Sequence, residues 1–224
     1  MDISHLAFYA RFDGPVGDLT TPGGSGANAR MTKPAVEFWF DFGSSYAYFA
    51  SLEVEALLQK HGRTVAWRPF MLGAAFEVTG ARGLSRTPMK REYAGHDWRR
   101  IARLRGVTYN PSPNHPPIAL PTMRAFYALE RSDSAAAVRF AKAAFQAAYV
   151  DGCDVGDLGV VLELSGLPAE AVGDPEIKAL AKARSEEAIS RGVFGSPWFF
   201  VDDEPFWGWD RLPMIDDWLT RGGW

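Results

Sequence analysis

The strongest pattern along the chain is the apolar run Val36-Glu-Phe-Trp-Phe-Asp-Phe42, which ends at Gly43-Ser44-Ser45 and gives way to a helix-forming stretch as far as Lys60. A short aromatic run bounded by glycine reads as a buried strand over 36–42, with a helix over 44–61 and Gly62 at its C-terminal stop. Strand character repeats in Thr64-Val-Ala-Trp-Arg-Pro-Phe70. From 71 to 192 the pattern is mostly helical. Thr87-Pro-Met-Lys-Arg-Glu92 predicts the capped opening of one helix, and 121–131, 134–150, 155–165 and 175–191 predict four more. Strands return at 197–201 and 205–208, joined by a turn at Asp202-Asp-Glu204, and Asp210 is expected to cap a last helix to about Thr220.

This order, β-α-β, a long helical insert, then a hairpin and a helix, predicts an α/β protein with a cleft between two parts. Residues 34–72 and 193–224 are expected to form the sheet domain, and 73–192 a mostly helical insertion domain. Residues 1–33 differ: Asp13-Gly-Pro-Val-Gly17 and Thr20-Thr-Pro-Gly-Gly-Ser-Gly26 are turn and linker chemistry, expected to form a flexible tail. Met31 stands just before the first strand and is a candidate natural start, which would leave residues 1–30 untranslated.

Composition narrows the function. A net charge of −3 argues against nucleic acid as the main partner, and no apolar run approaches the ~18 residues of a spanning helix, which argues against the membrane. Cys153 is the one cysteine, so an internal disulfide, a Cys-x-x-Cys redox pair and a thiolate-rich metal site are all excluded. The chain suits a reducing cytoplasm. His5, His61, His96 and His115 lie far apart without metal-ligand spacing. An aromatic-rich chain of this size is also a candidate homodimer.

Three short segments carry candidate chemistry. Gly43-Ser44-Ser45 delivers hydroxyls to a helix N-terminus, where unpaired N–H groups and the helix dipole favour anions. There Ser44 either caps the helix or donates to a bound thiolate, and the residues alone leave both open. Gly195-Ser196-Pro197 places a proline at the mouth of a strand, a candidate cis peptide whose preceding backbone could pair with an extended ligand. Phe206-Trp-Gly-Trp-Asp-Arg-Leu212 is a second candidate anion-binding helix start, where Asp210 could take a ligand amine. A Ser-His-Asp hydrolase fits poorly, since Gly-x-Ser-x-Gly is absent around Ser44 and no histidine is placed as base.

In this order around a helical insert, Phe40-Asp-Phe-Gly-Ser44, Val193-Phe-Gly-Ser-Pro197 and Phe206-Trp-Gly-Trp-Asp-Arg-Leu212 resemble the 2-hydroxychromene-2-carboxylate isomerase family. That family is related to kappa-class glutathione transferases and the DsbA-like thioredoxin folds. The resemblance runs from about Val36 to Trp218 and takes in Lys90, Tyr93 and Asp97. It implies a thioredoxin-like sheet domain interrupted by helices, with glutathione as cofactor and a small aromatic substrate. Ser44 would hold the glutathione sulfur. Ser196, where valine is common, and cis-Pro197 would pair with its backbone. Gly208, Trp209, Asp210 and Arg211 would grip the γ-glutamyl end, with Trp209 in place of the usual asparagine. Asn114 and His115 would face the second substrate, and the aromatic Trp207 is a candidate wall of its pocket. An asparagine frequent after the second strand has no counterpart near Gly80 to Ser85. The implied reaction is cis–trans isomerisation of 2-hydroxychromene-2-carboxylate to trans-o-hydroxybenzylidenepyruvate through reversible thiolate addition. Two alternatives remain open: a kappa-like transferase or reductase sharing the same site, and a thioredoxin-fold binding module without chemistry.

Overall fold

A computed structural model describes residues 35–224, so the expectations for the 1–33 tail and Met31 lie outside the described residues. The apolar run at 36 forms β1 (Val36–Phe40), which leads into α1 (Ser45–Lys60) and the parallel strand β2 (Val65–Pro69). The helical stretch follows as α2 (Leu72–Thr79), α3 (Lys90–Arg105), α4 (Leu120–Glu130), α5 (Ser134–Tyr149), α6 (Leu158–Ser165), α7 (Ala169–Gly173) and α8 (Pro175–Ser190). The chain then returns through β3 (Trp198–Val201), β4 (Glu204–Trp207) and α9 (Leu212–Arg221).

The sheet order is β2-β1-β3-β4, with β3 antiparallel to β1 and β4 antiparallel to β3. This is the α/β thioredoxin-like arrangement that the resemblance implies. Alternation along the strands sends Phe38, Phe40, Phe199, Val201 and Phe206 into one core, together with α1, α4, α5 and α9. Trp39, Trp198 and Phe200 point the other way, against Phe70, Ala75, Ala188 and Val193. Both faces of the central strands are therefore covered, which explains why β1 reads as a continuous apolar run rather than an alternating one. Trp39 and Phe38 are fully buried, and each such aromatic contributes about 1.5–3 kcal/mol relative to exposure.

Three local expectations are corrected. β1 ends at Phe40, because Asp41-Phe42-Gly43 is already turning. The Thr87-Pro88 segment does not cap α3: the Thr87 hydroxyl donates to Gly83 O, Met89 takes φ 65°, and the helix starts at Lys90 without a side-chain cap. Asp210 does not cap the last helix either. It sits inside a 3-10 turn, Trp209–Arg211, and α9 begins at Leu212 with Pro213 in its first turn.

Candidate active site

The β1–α1 turn is built around a buried acid. Asp41 accepts from Gly43 N at 2.7 Å and from Leu72 N at 2.8 Å, so one carboxylate ties the turn to the start of α2. Burial raises the Asp41 pKa, and the two amide donors oppose that rise. At Gly43 a Cβ would stand 3.1 Å from both Asp41 Oδ1 and Pro117 O, so a side chain there would press on the turn. Ser44 follows as the N-cap of α1, with φ −98° and ψ 113°, accepting from Ala47 N at 3.3 Å. The first N–H groups of α1 have no partner within the helix, and its first turn contains no acid, so its positive end is uncompensated by the helix itself.

Ser44 also reaches across the fold. Its hydroxyl donates to Ser196 O at 2.9 Å, and Ser196 Oγ accepts from Asp41 N at 2.8 Å. The Ser196–Pro197 peptide is cis, and Pro197 O accepts from Gly208 N at 3.0 Å. The β1–α1 turn, the Ser196-Pro197 loop and the end of β4 therefore meet at one edge of the sheet. Gly208, at φ 112°, turns the chain into the Trp209–Arg211 segment, where Arg211 pairs with Asp210 at 2.9 Å on the surface. The loop leaves no room for a side chain before Ser196: a Cβ on Gly195 would collide with the Trp207 indole. Gly195→Ala is expected to displace Trp207 and the Ser196-Pro197 loop together, lowering stability by about 1–3 kcal/mol. A urea midpoint unchanged from the parent would show that the indole swings aside freely.

Helices α1 and α3 and the loop between α3 and α4 wall the other side. Ser45, next to Ser44, is buried and shares hydrogen bonds with Tyr109 Oη at 2.8 Å and His115 Nε2 at 3.3 Å. The His115 ring meets Trp98 edge-on at 5.3 Å and Tyr149 at 5.6 Å. Burial lowers the His115 pKa to about 4 and lifts Tyr109 to about 12, where the Ser45 hydrogen bond and Arg99 pull the latter back. Tyr46 donates to Asp97 Oδ2 at 2.8 Å; burial, Asp97, Tyr93 and Asp210 all raise its pKa. His115 is therefore neutral at physiological pH. Ring-proton NMR is expected to find it unprotonated down to about pH 5, and titration near the ordinary ~6.5 would refute its burial. The unfolded chain takes up that proton first, so stability should fall as pH drops from about 6.5 towards 4.

The sequence profile of the DSBA-like thioredoxin domain matches residues 35–220. Proteins named 2-hydroxychromene-2-carboxylate isomerase from Sphingobium xenophagum and Pseudomonas putida are 29% and 30% identical, over 84% and 83% of this chain and 99% and 94% of their own. The chain belongs to the 2-hydroxychromene-2-carboxylate isomerase family of DsbA-like folds. Glutathione S-transferase kappa 2 of Caenorhabditis elegans is 25% identical over 84% of this chain and 93% of its own. A solved structure of a 2-hydroxychromene-2-carboxylate isomerase superposes with a TM-score of 0.73 at 24% identity, covering 84% of this chain and 95% of that one.

Of the residues that family membership nominates, the structure gathers Ser44, Ser196, Pro197 and Gly208, with Asp210 and Arg211 on the adjoining turn. His115 joins them through Ser45. Trp209 turns away: its indole donates to Glu53 at 3.1 Å and packs against Phe49, beneath Arg105. Asn114 is exposed and donates to Asp154 at 3.1 Å. Trp207, 54% exposed, lies against Phe194 and Gly195 on the sheet face opposite Phe206. Beside Asp41 and Ser45, which lie inside the motifs, the structure brings Tyr46, Trp98 and Tyr109 to the candidate site, and no motif singles these three out. Asp97 entered with the family resemblance, but its pairing with Tyr46 did not. Among the described residues no group of His, Cys, Asp and Glu has a metal-binding arrangement. Cys153 lies beyond α5, its amide on Ala147 O.

Proposed function

We propose that this chain is a glutathione-dependent cis–trans isomerase of the cytoplasm, acting on 2-hydroxychromene-2-carboxylate or a related intermediate of aromatic catabolism. The observation that carries the reading is the Ser44 hydroxyl at the α1 N-terminus, 2.9 Å from Ser196 O, in a chain whose single cysteine is not among the residues that build the site. A site of this geometry without its own thiol suits a sulfur brought by the ligand.

The residues present fit glutathione. The Ser44 hydroxyl and the first amides of α1 form a donor set for a thiolate. Ser196 offers its backbone for an extended peptide, and Asp210 and Arg211 offer opposite charges for an amino-acid end. Trp209 contributes main chain only, since its side chain is committed to Glu53. When bound, glutathione supplies a thiolate nucleophile for reversible addition to an activated carbon–carbon double bond. Ser44 stabilises that charge by turning its hydroxyl from Ser196 O towards the sulfur. The Trp98, Tyr109 and Tyr149 rings around neutral His115 keep water from the neighbouring wall. We assign the shaping of the second-substrate pocket to the insert 73–192, with 34–72 and 193–224 holding glutathione. The kappa-class relative keeps a second reading in view, in which the same site transfers glutathione to another electrophile.

The deciding measurement is a titration with reduced glutathione, following thiolate absorbance across pH. A bound thiol ionising below the free ~8.5 supports the cradle. No binding at millimolar glutathione removes the cofactor from the proposal.

A further inference from the structure

Charge is distributed unevenly in this acidic chain. Eight of its 24 Lys and Arg residues fall between Arg82 and Arg105, against two acids, Glu92 and Asp97. Most of these cations lie on the exposed side of α3, and several have local partners: Arg91 with Glu92, Arg100 with Asp97, Arg105 with Glu53. Arg99 and Arg103 differ. They stand one helical turn apart on one face of α3, where like charges repel. Arg99 donates to Gly95 O at 3.0 Å and meets no carboxylate, and Arg103 forms no ion pair among the described residues.

Between them lies a groove of about 320 Å³, lined by Arg99, Ala102, Arg103, Gly106, Val107 and Tyr109, with no acidic side chain. That is the small end of the range for ligand sites, about 300–1,000 Å³. Its walls combine two guanidinium forks with an apolar floor and one aromatic ring. Two of the carbonyls at the end of α3 are turned into hydrogen bonds of the helix stop: Ala102 O accepts from Val107 N at 3.0 Å and Arg103 O from Gly106 N at 3.3 Å. We propose that this groove is a binding site for a small aromatic carboxylate, its anion held by Arg99 and Arg103 and its ring against Tyr109 and Val107. Guanidinium groups pair with carboxylates through two parallel hydrogen bonds and stack on aromatic faces, so both parts of such a ligand find a partner. The rest of the basic face raises the local concentration of anions. Tyr109 links the groove to the candidate active site, because its hydroxyl holds Ser45 Oγ at 2.8 Å.

The proposal does not depend on glutathione chemistry, and neither does its test. The full chain is titrated with benzoate at low salt, without glutathione, by calorimetry and by backbone amide NMR. Saturable binding is expected, with shifts centred on the amides of Gly106 to Tyr109. Arg99→Gln and Arg103→Gln should each weaken it at least tenfold, while Arg91→Gln, on the same helix outside the groove, should leave it unchanged. Benzamide, which has the ring without the charge, should not saturate. Circular dichroism confirms that each variant keeps its helices. Equal weakening by Arg91→Gln would reduce the effect to the general field of α3. Benzoate binding that survives in the Arg99→Gln, Arg103→Gln double variant, or shifts confined to other elements, would overturn the site.

Discussion

Ser44→Ala is expected to lower glutathione-dependent turnover by roughly tenfold to a hundredfold while lowering stability by only about 1 kcal/mol. The rate estimate starts from the thiol. At a pKa of ~8.5 about 3% is ionised at pH 7, and a drop of about 1.5 units brings that to about half. Loss of a donor aimed at the charged sulfur during reaction adds to this. The stability estimate rests on the lost cap to Ala47 N and the lost donor to Ser196 O. Because Ser44 does both jobs, alanine alone cannot separate them. Ser44→Asp can: aspartate caps a helix as well as serine does, yet it places a negative charge beside the thiolate. If the cradle reading holds, Ser44→Asp restores the cap to Ala47 N but not the donor to Ser196 O, and loses turnover at least as severely as alanine. Parent-like turnover in Ser44→Asp would assign Ser44 to capping.

What could be read from the sequence follows the range of the interactions. The strand–turn–helix at 36–60 is local: an aromatic run, a glycine and a serine cap each act within a few residues. The hairpin at 198–207 and the proline before it are local too. The site itself is assembled by contacts that leave no periodic trace. Ser44 meets Ser196 across 152 residues, Ser45 meets Tyr109 across 64, and Tyr46 meets Asp97 across 51. Their partners sit in the loop before β3, in the loop after α3 and on α3, where a serine, tyrosine or aspartate looks like any other surface residue until the elements pack. The misplaced caps have the same origin. Thr87 and Asp210 carry side chains that favour helix starts, but each is held in a neighbouring turn, Thr87 by Gly83 O and Asp210 within the segment that follows Gly208. Family resemblance supplied the pairing of distant segments that single-residue preferences could not.

Asp41→Ala should produce the largest loss of stability among site variants, about 3–5 kcal/mol, or roughly 6–20 °C in Tm for a domain of this size. The carboxylate is buried and accepts from two main-chain amides, Gly43 N and Leu72 N, which alanine leaves without that partner. Asp41→Asn retains one acceptor oxygen but turns an amide donor towards the other N–H, so its loss should fall between parent and alanine. The charge works in the opposite direction. Burial is the larger influence on Asp41 and raises its pKa, so the folded protein holds that proton more tightly than the unfolded chain. Parent stability from this group is therefore greatest at low pH and declines as pH rises from about 3.8 through the raised folded value. Asparagine carries no such proton. The deficit of Asp41→Asn relative to the parent should accordingly shrink between pH 4.5 and pH 7 in urea unfolding. A deficit that widens over that interval would mean that the two amides outweigh burial and hold the carboxylate charged. Asp41 would then act as a fixed negative charge beneath Ser44, working against the thiolate that the helix end attracts.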